Sequence, residues 1–172
     1  MIVIEASKMT ARRSVIAALG FMLWALPALS EEVAQPLTAS EWVARRAMSR
    51  FSAYGEVCKL HMPGMTGAWE RALANISDTV NRLTAEQLAT SRFAELDKQS
   101  VPAARSAQLR RGIDGAQDKL KARLENQDPD ATCPKFLRNA QGFDDDSIRP
   151  VVVDALAGFR ALLVVPKIAR PQ

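Results

Sequence analysis

The 172-residue chain contains two cysteines, Cys58 and Cys133, and both lie downstream of a segment built like an export signal. In an oxidising compartment such a pair closes into a disulfide, so the fold must bring together two points far apart in sequence. Few arrangements of the intervening elements satisfy that demand. The enclosed loop is long, and chain entropy assigns its closure about 4 kcal/mol of stabilisation. No Cys-x-x-Cys spacing points to a redox or metal-ligating thiol, so the pair reads as a structural staple.

The export signal begins at Met9, where Arg12 and Arg13 supply a basic start and Ser14 to Leu29 an apolar run. Ala28-Leu29-Ser30 offers the small-x-small pattern of a cleavage site before Glu31. The run holds Pro27 and falls short of the roughly 20 residues a membrane-spanning helix needs, so cleavage is expected and no transmembrane segment remains after it. Ala11 departs from the twin-arginine pattern, which favours the general secretory route. No cysteine follows the cleavage site to carry a lipid. Residues 1–30 therefore read as a signal peptide, with Met1 and Met9 both available as the first residue, and residues 31–172 as a single helical domain.

Cleavage changes the charge. The full chain carries 23 basic and 19 acidic residues for a net of +4. Removing Lys8, Arg12, Arg13 and Glu5 leaves 23 − 3 = 20 basic and 19 − 1 = 18 acidic residues, a net of +2. That balance and an exported location exclude nucleic acid as the expected partner.

Helical periods fill the mature chain. Thr38-Ala39-Ser40-Glu41 has capping-box spacing, and Val43, Ala47, Phe51, Tyr54 and Cys58 then recur on one face until Pro63-Gly64 stops the helix. A second helix follows Thr66 with Trp69, Leu73, Ile76, Val80 and Leu83 as its stripe. It is expected to run, straight or kinked, through Leu88, Phe93 and Leu96 to about Lys98. Pro102 opens a third helix with Leu109, Ile113, Ala116, Leu120 and Leu124 on one side. Thr132-Cys133-Pro134 opens a short helix of about two turns carrying Phe136 and Leu137 and closing near Gly142. Asp144-Asp145-Asp146-Ser147 caps a last helix bearing Ile148, Val152, Ala155, Phe159 and Leu163, ended by Pro166. No strand-like alternation of useful length occurs.

The disulfide then selects a connectivity. If the second helix does not reverse at Thr84, the first helix ends and the third returns at the same pole, where Cys58 and Cys133 meet. A reversal there would send Cys133 to the far pole, beyond the reach of a disulfide. The expected fold is all-α, an antiparallel bundle of about four main helices with one disulfide.

Chemistry is sparse. Cys58 to Met65 gathers a thiol, an imidazole and two thioethers, ligands that suit copper. With Cys58 bridged, His61, Met62 and Met65 would remain as metal ligands. The bland alternative places His61 at a helix C-terminus, where it suits the dipole, and the methionines in the turn. Haem attachment lacks Cys-x-x-Cys-His, and a catalytic triad lacks a group paired with the single histidine. Asp144-Asp145-Asp146 lacks the alternating ligands of a calcium loop. Arg105, Arg110, Arg111, Lys119, Lys121 and Arg123 crowd the third helix, but Asp114 and Asp118 are interleaved at pairing distance, which describes a solvated face. Trp42, Trp69, Tyr54, Phe51 and Phe159 read as core.

Leu83-Thr84-Ala85-Glu86-Gln87 resembles the Leu-Thr-x-x-Gln motif of the Spy and CpxP group of periplasmic helical stress proteins. The match covers five residues, and the second copy typical of that group is absent. The resemblance implies a periplasmic chaperone-like protein that binds unfolded clients, with metal sensing in some relatives.

No cofactor is expected. The chain reads as a periplasmic or secreted helical protein that binds a protein or envelope ligand rather than catalysing a reaction. A copper-handling protein using His61, Met62 and Met65 and a chaperone-like stress protein are the alternatives, and an enzyme with an unrecognised carboxylate site comes after them.

Overall fold

The structure, a computed structural model, describes residues 35–164. The signal segment expected at residues 1–30, and Pro166, lie outside the described residues. The described residues are mostly helical and form six helices: α1 (Ala39–His61), α2 (Thr66–Leu88), α3 (Ala94–Asp97), α4 (Ala103–Glu125), α5 (Pro129–Gln141) and α6 (Asp145–Leu163). A single 3-10 turn, Pro63–Met65, joins α1 to α2.

Local chemistry sets most of the boundaries. Thr38 caps α1 by accepting from the Glu41 amide at 3.2 Å, as the capping-box spacing predicts. Asp144 caps α6 by accepting from both the amide and the hydroxyl of Ser147. Helix α5 starts earlier than Thr132. Asp128 accepts from the Asp130 amide, and Pro129 occupies the first helical position, where its missing N–H costs nothing.

Helix α2 passes through Thr84 without a break. Thr84 is 3 % exposed, and its hydroxyl donates to the Val80 carbonyl one turn back at 2.6 Å. The helix ends at Leu88, ahead of the expected Lys98. Leu83, Leu88 and Phe93 follow one another at steps of five, and each such step rotates the next side chain about 140° around the axis. A continuous helix would bury only some of them. Instead Thr90 accepts from the Phe93 and Ala94 amides, the chain bends, and Phe93 and Leu96 reach the core at 1 % and 3 % exposure.

Contacts between side chains give the helix directions. Glu41 meets Arg110, Arg45 meets Asp114 and Glu56 meets Lys121, so α1 and α4 run parallel. Trp42 reaches the carbonyl of Ala155 while Phe51 meets Phe143, just ahead of α6, so α6 runs opposite to α1. Arg82 pairs with Asp145, and Glu86 with Arg149, so α2 and α6 run parallel. Helix α1 is the hub and packs against α2, α4, α5 and α6. The core gathers Val43, Ala47, Trp69, Ile76, Val80, Leu83, Val152, Leu156 and Phe159. On α4 the apolar stripe is shallower than its sequence implies. Ile113 and Leu124 are buried, Leu109 and Leu120 are half-buried, and Ala116 is exposed.

One feature has no counterpart in the sequence pattern. Leu37–Thr38 (β1) and Ser100–Val101 (β2) form an antiparallel pair with Leu37 opposite Val101, two residues each and too short for alternation to register. Ser106 ties it down. Its fully buried hydroxyl accepts from the Leu37 amide at 2.9 Å and lies 2.8 Å from the Val101 carbonyl. Ser106→Ala leaves the Leu37 amide buried without an acceptor and should cost about 1–3 kcal/mol. A urea titration checks this through a lowered midpoint at unchanged slope, and an unchanged midpoint would contradict it.

Candidate functional site

Cys58 on α1 and Cys133 on α5 form a disulfide with their Cα atoms 5.5 Å apart, each residue 2 % exposed. The bond lies beside two short runs of rings. On α1, Tyr54 precedes Cys58 by one turn and Phe51 by two. On α5, Phe136 follows Cys133 by three residues, on the same side of the helix. The staple thereby sets Tyr54 against Phe136, their ring centres 4.0 Å apart. Phe143, in the link between α5 and α6, meets Phe51 edge to face at 4.9 Å.

These four rings surround a cleft of about 160 Å³ that is also lined by Arg50, Trp69, Asn139 and Ala140. Trp69, in the first turn of α2, is 1 % exposed and forms the floor. Gly55 lets α2 approach α1 at Leu73: a Cβ on Gly55 would stand 2.7 Å from Leu73 Cδ1, but at an ordinary contact distance of 3.5 Å from the Trp69 ring. The Trp69 indole Nε1–H is buried and has no hydrogen-bond acceptor among the described residues. The contrast is Trp42, whose Nε1 donates to the Ala155 carbonyl at 2.9 Å. A buried donor without a partner costs about 1–3 kcal/mol, which burial of about 150–250 Å² of indole outweighs.

Arg50 stands at the rim, its guanidinium 5.7 Å from the centre of the Tyr54 ring. It is the one charged side chain among the residues that line the cleft, and no carboxylate pairs with it among the described residues. Asp144, next to Phe143, is occupied elsewhere. Hydrogen bonds from the Ser147 side chain and amide hold its carboxyl below the usual value of 3.8, so this cap is intact at neutral pH and weakens as acid protonates it. On the other side of α1, the Arg110 guanidinium is the main cause holding Glu41 below 4.5, and that pair fastens α4 to α1.

The residues singled out from sequence fall as follows. His61 is the exposed last residue of α1, whereas Met62 and Met65 are half-buried and pack against the core. Among the described residues no group of three or more His, Cys, Asp or Glu side chains converges. The five residues from Leu83 to Gln87 sit inside α2, with Leu83 fully buried. On α4, Asp118 pairs with Lys121 at 2.9 Å as its spacing predicts, while Arg110 turns to Glu41 and leaves Asp114 to Arg45. Trp42, Trp69 and Phe159 are buried core, but Phe51 and Tyr54 are only half-buried and open onto the cleft.

Arg50, Asn139 and Phe143 escaped the sequence reading. A usable signal was present for the rest of the cleft: two aromatic stripes flank the two cysteines, and a disulfide must set those stripes side by side. Comparison with known proteins adds no relative, since no family model, no curated protein and no solved structure matches the chain.

Proposed function

We propose that this is an exported, disulfide-stapled helical binding protein whose ligand enters the aromatic cleft between α1, α2 and α5. One observation carries the reading: a cleft walled by four rings, with the guanidinium of Arg50 at its rim and no carboxylate among its lining residues. Ligand sites combine apolar walls with a few placed polar groups, and the residues lining this cleft include Asn139 and Arg50. The disulfide supports an oxidising location. No helix among the described residues is long and apolar enough to cross a membrane.

A fluorine NMR screen with single-ring fluoroaryl fragments tests the reading. The fragments should bind the oxidised protein saturably. Phe143→Ala, at a position 37 % exposed, should leave the fold intact and weaken binding about fivefold, the scale of one aromatic contact. Fragments that ignore the protein, or bind Phe143→Ala equally well, would contradict it.

A further inference from the structure

We infer that the bend after α2 builds a separate oxyanion site, in which Arg92 and Arg160 receive a phosphate group. The bend carries Phe93 into the core at 1 % exposure. Two guanidiniums come to its ring, that of Arg92 in the bend and that of Arg160 in the last turn of α6, each 5.0 Å from the ring centre. Arg160 also donates to the main-chain carbonyl of Arg92, which holds the two residues together. Both side chains line one cleft of about 300 Å³, with Ser91, Glu95 and Gln99 beside them. None of its lining residues belongs to the aromatic cleft.

Charge makes this arrangement unusual within the fold. Elsewhere a cation between helices is answered by carboxylates: Arg82 by Glu86 and Asp145, Arg45 by Glu41 and Asp114, Lys121 by Glu56 and Asp118. At Phe93, among the described residues, no carboxylate comes within pairing distance of either guanidinium. Glu95, the acid among the lining residues, turns to Lys98 at 3.4 Å. Two like charges on one ring repel, and a phenyl face offsets that only in part. An anion between them removes the repulsion, and the ring and the Arg92 carbonyl have already positioned both cations, so little ordering remains when it binds.

The donors favour phosphate over a single carboxylate. Arg160 gives one of its five N–H groups to the Arg92 carbonyl, and none of those on Arg92 has a partner among the described residues. Planar guanidinium forks match phosphate oxygens in pairs. The Ser91 hydroxyl and the Gln99 amide add further donors at the same cleft. Two cations and this many donors suit a monoester or free phosphate, which carries close to two charges and three strongly accepting oxygens.

Calorimetric titration of the oxidised protein with inorganic phosphate tests the site. Arg92→Gln and Arg160→Gln, both at exposed positions, should each weaken binding about tenfold. Arg71→Gln, which removes an exposed arginine of α2, should leave it unchanged. Because Arg160 also holds the bend, Arg92→Gln decides the point if Arg160→Gln loosens the fold. Flotation with vesicles containing phosphatidate separates a lipid head group from free phosphate as the source. Flotation lost in Arg92→Gln supports the site with a lipid head group in it, and phosphate binding without flotation supports it with a soluble phosphate. Failure of both phosphate and phosphatidate to bind would overturn the assignment. So would equal affinity in native and Arg92→Gln protein, or an equal loss in Arg71→Gln.

Discussion

Reducing the Cys58–Cys133 bond should lower the folding stability by about 4 kcal/mol, the chain-entropy value for a loop of this size. The two residues are 75 apart in sequence, so the reduced unfolded chain gains a large ensemble that the oxidised one is denied. Both cysteines are buried in the core, and reduction leaves their thiols in place, so little packing is lost with the bond. The thermal midpoint should fall on the order of 10 °C. The site should suffer as well. Phe136, Asn139 and Ala140 reach the cleft on α5, which the disulfide ties to α1. Urea titrations with and without reductant, repeated on a Cys58→Ala, Cys133→Ala double variant, measure the effect. Coincident midpoints would show that helix packing alone holds α5.

Phe159→Ala should cost about 3–5 kcal/mol, the range for truncating a buried phenylalanine. Phe159 is fully buried, the last of the series Ile148, Val152, Leu156 and Phe159 that α6 turns toward the core. Helix α6 joins α1 and α2, so the cavity would open where three helices meet. The close packing around a ring limits collapse into that space. Leu60→Ala provides the control, because Leu60 is 72 % exposed and should move stability by less than about 0.5 kcal/mol. Denaturant titration of both variants checks the pair, and similar losses in the two would refute the assignment of the core.

Much of this architecture was legible from residue type and spacing. Thr38 and Asp144 act as the caps their side chains announce, because capping is a local interaction. The disulfide argument also correctly forbade a reversal at Thr84, since the demand that Cys58 and Cys133 meet acts over the whole chain. Its error was the end of α2. Leu88 is buried as the last residue of α2, whereas Phe93 is out of phase with Leu83, and a bend after Leu88 brings it inside. The β1–β2 pair escaped because two residues carry no period and because Ser106, which anchors it, looks like any helix serine until its environment is known.

The cleft was harder to read for a related reason. Phe51 and Tyr54 share a helical stripe with the core residue Val43, and periodicity does not tell a ring that closes a core from one that lines an opening. Phe143 lies in a link with no period at all, and Arg50 looks like ordinary surface charge. Trp69 could be placed in the interior from its stripe. That its indole N–H would go unpaired there follows only from the positions of the surrounding helices.

The most direct test of the binding cleft is the nitrogen–proton NMR signal of the Asn139 side-chain amide, recorded while oxidised protein is titrated with the single-ring fluoroaryl fragments and then repeated after reduction. We expect the Asn139 signal, assigned by its loss in Asn139→Asp, to shift saturably as a fragment fills the cleft, while the Trp42 indole signal, bonded to Ala155, stays in place. Reduction should weaken or abolish the shift. An unmoved Asn139 signal at saturating fragment, or equal drift of the Trp42 indole, would contradict the cleft as the site where this protein meets its ligand.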